Sequence, residues 1–230
     1  MRYSDWSPVY DAILRDFGYD RTGDERVRDR LATLTTSFDH DRLPLFEGAA
    51  VAVCGAAPSL ADDLDLARRA DVVVAASTAV DTCRDAGVAV DCMVTDLDKN
   101  PETAVELTRE GTPVAVHAHG DNRPLVEAYV PELVDEWTLP TTQAEPVGPV
   151  ENVGGFTDGD RAAFLADHFG AGSLVFPGWT FDDPTVDAEK RRKLAWAERL
   201  LYWLERRRDE RFVVLDGRRD AIDTSALPVE

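Results

Sequence analysis

Residues 91–98 read Asp-Cys-Met-Val-Thr-Asp-Leu-Asp, and residues 114–122 read Val-Ala-Val-His-Ala-His-Gly-Asp-Asn. Each stretch begins as a short apolar run and ends in acidic or imidazole side chains. In an open α/β sheet, ligands bind at the carboxyl ends of parallel strands. Two neighbouring strands with these endings would bring five polar side chains into one crevice: Asp96, Asp98, His117, His119 and Asp121. The two stretches therefore predict an α/β fold with a functional site at that edge.

The same alternation of apolar runs and amphipathic stretches extends through most of the chain. Strand-like runs lie at 49–54, 72–76, 91–95, 114–117 and 173–177. Helical patterns lie at 59–69, 78–86, 101–110, 157–169 and 190–208. Repeated alternation of this kind is typical of a parallel sheet. We predict a mostly parallel, open α/β sheet with flanking helices and a long C-terminal helix.

The two ends of the chain carry other patterns. Residues 1–47 show helical spacing without strand alternation, which predicts an N-terminal helical annex before an α/β catalytic domain at 48–216. Residues 140–155 contain proline and glycine and are expected to form a loop. We expect residues 212–215 to form an edge strand and the tail, 217–230, to be frayed.

The predicted helix at 190–208 carries an apolar stripe that includes Trp196 and Trp203. The stripe is covered either by the core of the same chain or by a second copy in a homodimer, and the sequence leaves both open.

The charge composition bears on possible partners. The net charge is −19, with 22 Arg, 3 Lys, 29 Asp and 15 Glu. An acidic, lysine-poor composition resembles that of proteins from halophilic archaea, in which carboxylates keep the surface hydrated in high salt. The negative field repels phosphate backbones, so we expect no nucleic acid partner. A nucleotide substrate must then be neutralised locally by a metal ion, lysine or arginine.

No segment reaches the ~18 apolar residues of a membrane helix, and the N-terminus is unlike a signal peptide. We expect a cytoplasmic protein with no membrane partner. Cys54, Cys83 and Cys92 form no CxxC pair, and their odd number implies no disulfide framework. Cys54 and Cys92 are expected to be core residues.

Asp96-Leu97-Asp98 predicts a metal site, because two carboxylates at this spacing reach one ion when the strand end bends. Mg²⁺ is usually held by one or two carboxylates together with substrate phosphates. Lys99 follows directly and is one of only three lysines, and a compact ammonium suits phosphate charge. A solvated acidic loop is the alternative in so acidic a chain.

The spacing His117-x-His119-x-Asp121 also occurs at the start of zinc hydrolase sites. Such sites need further histidines, and the chain offers only His40 and His168. Mg²⁺ with Asp121 as a third carboxylate is the better fit.

Two small-residue turns precede predicted helices. Residues 55–59, Gly-Ala-Ala-Pro-Ser, suit a phosphate at a helix N-terminus, with Ser59 as N-cap, or else are a tight strand-to-helix connection. Residues 152–161 read Asn-Val-Gly-Gly-Phe-Thr-Asp-Gly-Asp-Arg. Thr157 and Asp160 suit a capping box, or a flat heterocycle lies on 154–156 and donates two hydrogen bonds to an aspartate.

These motifs together resemble the archaeal 6-hydroxymethyl-7,8-dihydropterin pyrophosphokinases, which have a thiamine-pyrophosphokinase-like catalytic fold. The resemblance extends from about residue 48 to 205 and rests on 55–59, 94–98, 117–122, 141–143 and 152–162, with Lys190 and Lys193 on the last helix. The chain departs from the family pattern at Ala56-Ala57, where a second glycine is expected. It departs again at 177–182, where Gly-Met-Asp-Phe is expected.

The resemblance implies an Mg²⁺-dependent 2-amino-4-hydroxy-6-hydroxymethyldihydropteridine diphosphokinase of tetrahydrofolate or methanopterin biosynthesis. The substrates would be ATP and 6-hydroxymethyl-7,8-dihydropterin. The catalytic and metal-binding residues would be Asp96, Asp98 and Asp121. The nucleotide would bind at Gly55, Ala56, Pro58, Ser59, Lys190 and Lys193. The pterin would bind among His117, His119, Asn122, Gln143, Asn152, Gly154, Gly155, Phe156, Thr157 and Asp158.

Two other functions remain open from the sequence. A metal-dependent glycosyltransferase would use Asp96 and Asp98 to hold the diphosphate of a nucleotide-sugar, although the chain has no evident acceptor domain. A non-enzymatic nucleotide-binding module would not need both acidic stretches.

Overall fold

The computed structural model describes residues 1–229, which form one parallel sheet with helices on both faces. The six strands are β1 (Ala50–Cys54), β2 (Val72–Ala76), β3 (Cys92–Thr95), β4 (Val114–Ala118), β5 (Thr138–Thr142) and β6 (Ser173–Val175). They lie in the order β5-β4-β3-β2-β1-β6, and every neighbouring pair is parallel. The predicted α/β class with an open parallel sheet is confirmed.

Eight helices cover the sheet within the described residues. They are α1 (Tyr3–Phe17), α2 (Arg21–Ala32), α3 (Leu60–Arg69), α4 (Ala79–Asp85), α5 (Pro101–Glu110), α6 (Arg123–Tyr129), α7 (Asp158–His168) and α8 (Ala188–Arg208). Side chains alternate along each strand, so Val51 and Val53 face one core and Ala52 and Cys54 face the other. Helices α1, α7 and α8 build the first core, and α2 to α6 build the second.

The N-terminal residues that were predicted to be helical form α1 and α2, which lie on opposite faces of the sheet. Trp6, Tyr10 and Ile13 of α1 are fully buried in the core shared with α7 and α8. Val27 and Leu31 of α2 are buried in the other core, and α2 contacts β4 and β5. Helix α2 therefore lies close to the carboxyl ends of two neighbouring strands.

The structure differs from the sequence predictions at four places. Residues 138–142, assigned in part to a loop, form the edge strand β5, and residues 123–129 form the unpredicted helix α6. Residues 213–215 form a short 3-10 turn and not a strand. Residues 218–229, expected to be frayed, are held by contacts, since Arg219 pairs with Glu205 and Leu227 is buried.

Helix α8 buries both of its tryptophans within the chain. Trp196 and Trp203 are 2% and 1% exposed. The core of the same chain therefore covers the stripe that had suggested a homodimer contact. All three cysteines are buried as well, as predicted for Cys54 and Cys92. Among residues 1–229, no helix combines the length and the apolar character needed to cross a bilayer.

Candidate active site

A cavity of about 810 Å³ opens at the carboxyl ends of the strands. Its walls come from the loops that follow β1 to β6, from the loop between α1 and α2, and from the first turns of α8. This is the edge at which the sequence predicted a site. Ligand pockets in proteins commonly span about 300–1,000 Å³, so the cavity is at the large end of that range.

Three carboxylates meet in the cavity. Asp96, Asp98 and Asp158 each offer an oxygen, and these oxygens lie within 4.8 Å of one another. We call these three residues the acidic cluster. Asp96 and Asp98 follow β3, whereas Asp158 is the first residue of α7. The cluster therefore joins the end of a central strand to the N-terminus of a helix.

The backbone bends sharply between the two aspartates that follow β3, as their spacing required. Leu97 has a φ of +68°, and its side chain is fully buried. The Leu97 N–H donates to Thr95 Oγ1 at 2.9 Å, and the Asp98 N–H donates to Asp96 Oδ1 at 3.1 Å. A buried apolar anchor and two local hydrogen bonds thus hold both carboxylates toward the cavity.

The three carboxylates repel one another. Burial and the Asp96 charge raise the pKa of Asp98. Burial and the charges of Asp96 and Asp98 raise the pKa of Asp158 to about 8, although Arg161 opposes the shift. Burial disfavours the charge of Asp96 too, but the His119 hydrogen bond and the Arg161 charge lower its pKa overall. At neutral pH the cluster therefore favours a proton or a cation among its oxygens.

Asp121, predicted as the third carboxylate, lies outside the acidic cluster. It is exposed and lines the cavity, but it is not in the carboxylate group found among the described residues. The third carboxylate of the acidic cluster is Asp158, which the resemblance assigned to the pterin. More than 60 residues separate the end of β3 from the start of α7, so spacing along the chain could not predict this exchange.

The loop after β4 supports the cluster from a third direction. His119 Nε2 lies 3.3 Å from Asp96 Oδ2. Asn122 lies behind this contact, because its amide donates to the carbonyls of Asp96 (2.9 Å) and His117 (2.7 Å). His117 is buried beside Thr141 and lines no part of the large cavity, and burial holds its pKa well below the usual value. His119 thus contacts the site, while His117 and Asn122 support it.

The turn after β1 is packed against the loop after β6. The N–H groups of Gly55 and Ala57 donate to the carbonyls of Pro177 (2.9 Å) and Gly178 (3.1 Å). A Cβ on Gly55 would lie 2.5 Å from the Gly178 carbonyl oxygen, so close backbone packing accounts for this glycine. Ser59 occupies the N-cap of α3 as predicted, but its hydroxyl makes no hydrogen bond within the described chain. Gly55, Ala56 and Pro58 line the cavity; Ser59 does not.

All three lysines of the chain line the cavity: Lys99, Lys190 and Lys193. Lys193 Nζ lies 3.1 Å from Glu189, and the Lys190 charge acts to lower the pKa of Asp98. The three lysines of this chain therefore all line the cavity that holds the acidic cluster.

The glycine-rich loop before α7 divides between the cavity and the core. Gln143, Phe156, Thr157 and Asp158 line the cavity. Asn152, Gly154 and Gly155 line no part of it: Asn152 donates to the Ala144 carbonyl at 2.7 Å, and both glycines have φ near +90°. The predicted capping box is confirmed, with the Asp160 side chain accepting the Thr157 N–H.

Sequence reasoning missed three residues that build the cavity wall. Asp24 of α2 is 4% exposed, Arg161 of α7 is 5% exposed, and Trp179 donates its indole N–H to the Val53 carbonyl at 2.8 Å. Trp179 lies in the segment that departs from the family pattern. Arg161 lies in the quoted motif, but Asp24 carried no sequence signal because it looks like one more charge on an exposed helix face.

Comparison with known proteins agrees with the motifs. Residues 27–185 match the family described as 6-hydroxymethylpterin diphosphokinase MptE-like. Three archaeal relatives are named 6-hydroxymethyl-7,8-dihydropterin pyrophosphokinase. The one from Methanothermobacter thermautotrophicus is 38% identical, and the match covers 92% of this chain and 98% of the relative. Those from Pyrococcus furiosus and Methanocaldococcus jannaschii are 36% and 30% identical, over 89% of this chain and 95% and 96% of the relatives.

Proposed function

The chain belongs to the MptE-like family of 6-hydroxymethylpterin diphosphokinases, and we propose that it transfers diphosphate from ATP to 6-hydroxymethyl-7,8-dihydropterin. The hydroxymethyl oxygen attacks the β-phosphorus, the bond from that phosphorus to the α,β-bridging oxygen breaks, and AMP leaves. The product serves tetrahydrofolate or methanopterin biosynthesis. The observation that carries the proposal is the acidic cluster beside three lysines in one cavity.

The donor set fits Mg²⁺. The cluster offers three carboxylates, and oxygen ligands of this kind are the ones that Mg²⁺ prefers. The raised pKa of Asp98 and Asp158 reflects burial and mutual repulsion, and a bound cation would relieve the repulsion. When bound, the ion supplies charge neutralisation and a template for the phosphate oxygens. Asp96, Asp98 and Asp158 are the residues that would hold it.

The protein's own part in the reaction is positioning, since phosphoryl-type transfer needs little covalent chemistry from the enzyme. Lys190 and Lys193 extend from α8 into the cavity and neutralise the phosphates of ATP. The turn at 55–58 forms the wall on the β1 side. Two of its N–H groups are already used within the chain, so the lysines carry more of the phosphate charge than this turn does.

In this proposal the pterin binds near the N-terminus of α7. Phe156, Thr157 and Gln143 line the cavity, as does the α1–α2 loop. Phe156 offers an apolar ring edge, and Gln143 and Thr157 offer polar atoms for the edge of the heterocycle. With ATP at Lys190 and Lys193 and the pterin at Phe156 and Gln143, the two substrates would meet at the acidic cluster.

The test is formation of AMP from ATP, Mg²⁺ and the pterin alcohol. The assay is run at several KCl concentrations up to molar levels, because a chain of net charge −19 is expected to need cations for stability. AMP that appears only when all three components are present supports the proposal. No AMP at any salt concentration, from protein shown to be folded, rejects it. Thermal shifts with ATP and with sugar nucleotides separate the kinase from a glycosyltransferase.

A further inference from the structure

We propose that Asp24, in the N-terminal helix pair, is a positioning residue for the acidic cluster. The inference rests on the proposed function for the reaction that it serves. Asp24 lies outside the region 27–185 that matches the family, and it has no part in holding ATP, Mg²⁺ or the pterin in the proposed reaction. It nevertheless has more polar contacts in the cavity wall than a helix-surface aspartate needs.

The Asp24 carboxylate is buried without a cationic partner among its hydrogen bonds within the described chain. Tyr10 OH (2.5 Å) and Gln143 Nε2 (2.7 Å) donate to Oδ2. The Gly120 N–H donates to Oδ1 at 2.6 Å. A buried charge is costly unless hydrogen bonds compensate for it, and here three donors converge on one side chain. Those donors come from α1, from the residue after β5 and from the loop after β4.

The backbone is shaped for this contact. A Cβ on Gly23 would lie 3.4 Å from the Gly120 Cα, and one on Gly120 would lie 3.5 Å from the Gly23 Cα. Helix α2 therefore lies in van der Waals contact with the loop that follows β4. This approach brings Asp24 within reach of the Gly120 N–H.

One route from Asp24 leads to Asp158. Because Gln143 Nε2 must face the carboxylate, Gln143 Oε1 faces the other way and lies 3.4 Å from Arg161 Nη2. Arg161 Nη1 in turn donates to Asp158 Oδ1 at 3.0 Å. Asp24 thus determines that the oxygen of the Gln143 amide, and not its NH₂ group, faces Arg161.

A second route leads to Asp96. Asp24 holds Gly120, and the neighbouring residues in that loop, His119 and Asn122, contact the Asp96 side chain and carbonyl. Two members of the cluster are therefore reached from one carboxylate through short hydrogen-bonded paths. The N-terminal helices set the geometry of a site whose reactive groups all lie after residue 95.

Asp24→Asn tests the inference. The new amide can accept from Gly120 only by turning its NH₂ toward Gln143, so Gln143 has to rotate and present a donor to Arg161. We expect kcat to fall at least tenfold, the KM for ATP to stay within threefold, the KM for the pterin to rise because Gln143 also lines its proposed site, and the Mg²⁺ concentration for half-maximal rate to rise. Asp29→Asn, an exposed aspartate of the same helix, removes the same charge and is expected to leave all four values unchanged. A kcat within twofold of wild type for Asp24→Asn overturns the inference.

The double variant Asp24→Asn with Gln143→Glu restores a matched pair, since the carboxylate introduced at position 143 accepts both from the amide introduced at position 24 and from Arg161. We expect at least half of the lost kcat, on a logarithmic scale, to return. If the single variant does not fold, the double variant must fold and turn over, and failure to do so overturns the inference.

A measurement without turnover separates this inference from the proposed function. The ¹H–¹⁵N signal of Arg161 Nε, assigned with Arg161→Lys, should shift in Asp24→Asn and stay in place in Asp29→Asn. If wild type makes no AMP, the proposed function fails while this signal still decides the positioning role. An Arg161 signal that Asp24→Asn leaves in place overturns the inference.

Discussion

Arg161 Nη1 lies 3.0 Å from Asp158 Oδ1, one turn along α7, and both side chains are largely buried. The arginine is the cation hydrogen-bonded to Asp158, yet the pKa of that carboxyl is still raised, because burial and two neighbouring aspartates outweigh it. Asp158 therefore has two possible roles, in the metal site or at the pterin edge, and they give different kinetic results.

Asp158→Asn is expected to remove turnover almost completely while leaving the fold intact. Loss of one of three proposed metal-holding carboxylates should raise the Mg²⁺ requirement and lower kcat at least a hundredfold, about 2.7 kcal/mol of transition-state stabilisation. A variant that instead keeps kcat and raises only the pterin KM, about tenfold, assigns Asp158 to the heterocycle.

The matched control for this change is Asp160→Asn, two residues further along α7. Asp160 is fully buried and accepts from the N–H groups of Phe156 and Thr157. Its replacement should lower the free energy of unfolding by about 1–3 kcal/mol through an unsatisfied buried group. Thermal unfolding separates the two variants, since Asp158→Asn relieves repulsion and should not lower Tm.

The raised pKa of Asp158 also predicts a pH dependence of stability in the metal-free protein. Between its ordinary value of 3.8 and about 8, the folded state holds a proton that the unfolded state has lost. The contribution of this group to stability therefore falls as pH rises through that window. Urea unfolding in EDTA should show Asp158→Asn gaining stability relative to wild type from pH 4 to 8. A difference in unfolding free energy between the two proteins that stays constant from pH 4 to 8 would show that Asp158 does not bind this proton.

Asp96→Asn and Asp98→Asn are each expected to leave less than a tenth of the wild-type rate, a loss above about 1.4 kcal/mol. Both side chains face the cavity from a bend that a buried leucine holds, so the fold should persist. Circular dichroism and AMP formation provide the two readouts. Asp85→Asn, an exposed residue of α4, is the control for loss of one negative charge. Full activity in either variant would show that the replaced aspartate does not hold the metal ion.

The strands of the central sheet were predictable because β-branched runs alternate with amphipathic stretches. β5 was missed because it reads Thr-Leu-Pro-Thr-Thr, and proline is depleted in strands. It forms at the edge of the sheet, where a missing N–H costs least. The Asp96–Asp98 pair was predictable from its place after an apolar run. Asp158 and Asp24 were not, because their positions depend on how α7 and α2 pack across the sheet.

Lys190→Gln is expected to raise the KM for ATP about tenfold or more, a loss of ~1.4 kcal/mol of binding, with a smaller effect on the pterin KM. Lys193→Gln should have a weaker effect, because Glu189 already holds that ammonium at 3.1 Å. Arg191→Gln is the control, since Arg191 donates to the Val186 carbonyl and does not line the cavity. Equal KM changes in all three variants would indicate a general charge effect and not a phosphate contact.

The final prediction concerns Gly155, which the family resemblance assigned to the pterin. Its φ is +93°, and an added Cβ would lie 2.5 Å from the Arg161 Cα, in the first turn of α7. Gly155→Ala should therefore lower the free energy of unfolding by more than about 2 kcal/mol, because strain and a backbone clash add together. Gly148→Ala, with φ +56° and open space around it, should cost only about 1 kcal/mol. Equal losses of stability, together with a raised pterin KM for Gly155→Ala alone, would indicate that Gly155 contacts the pterin.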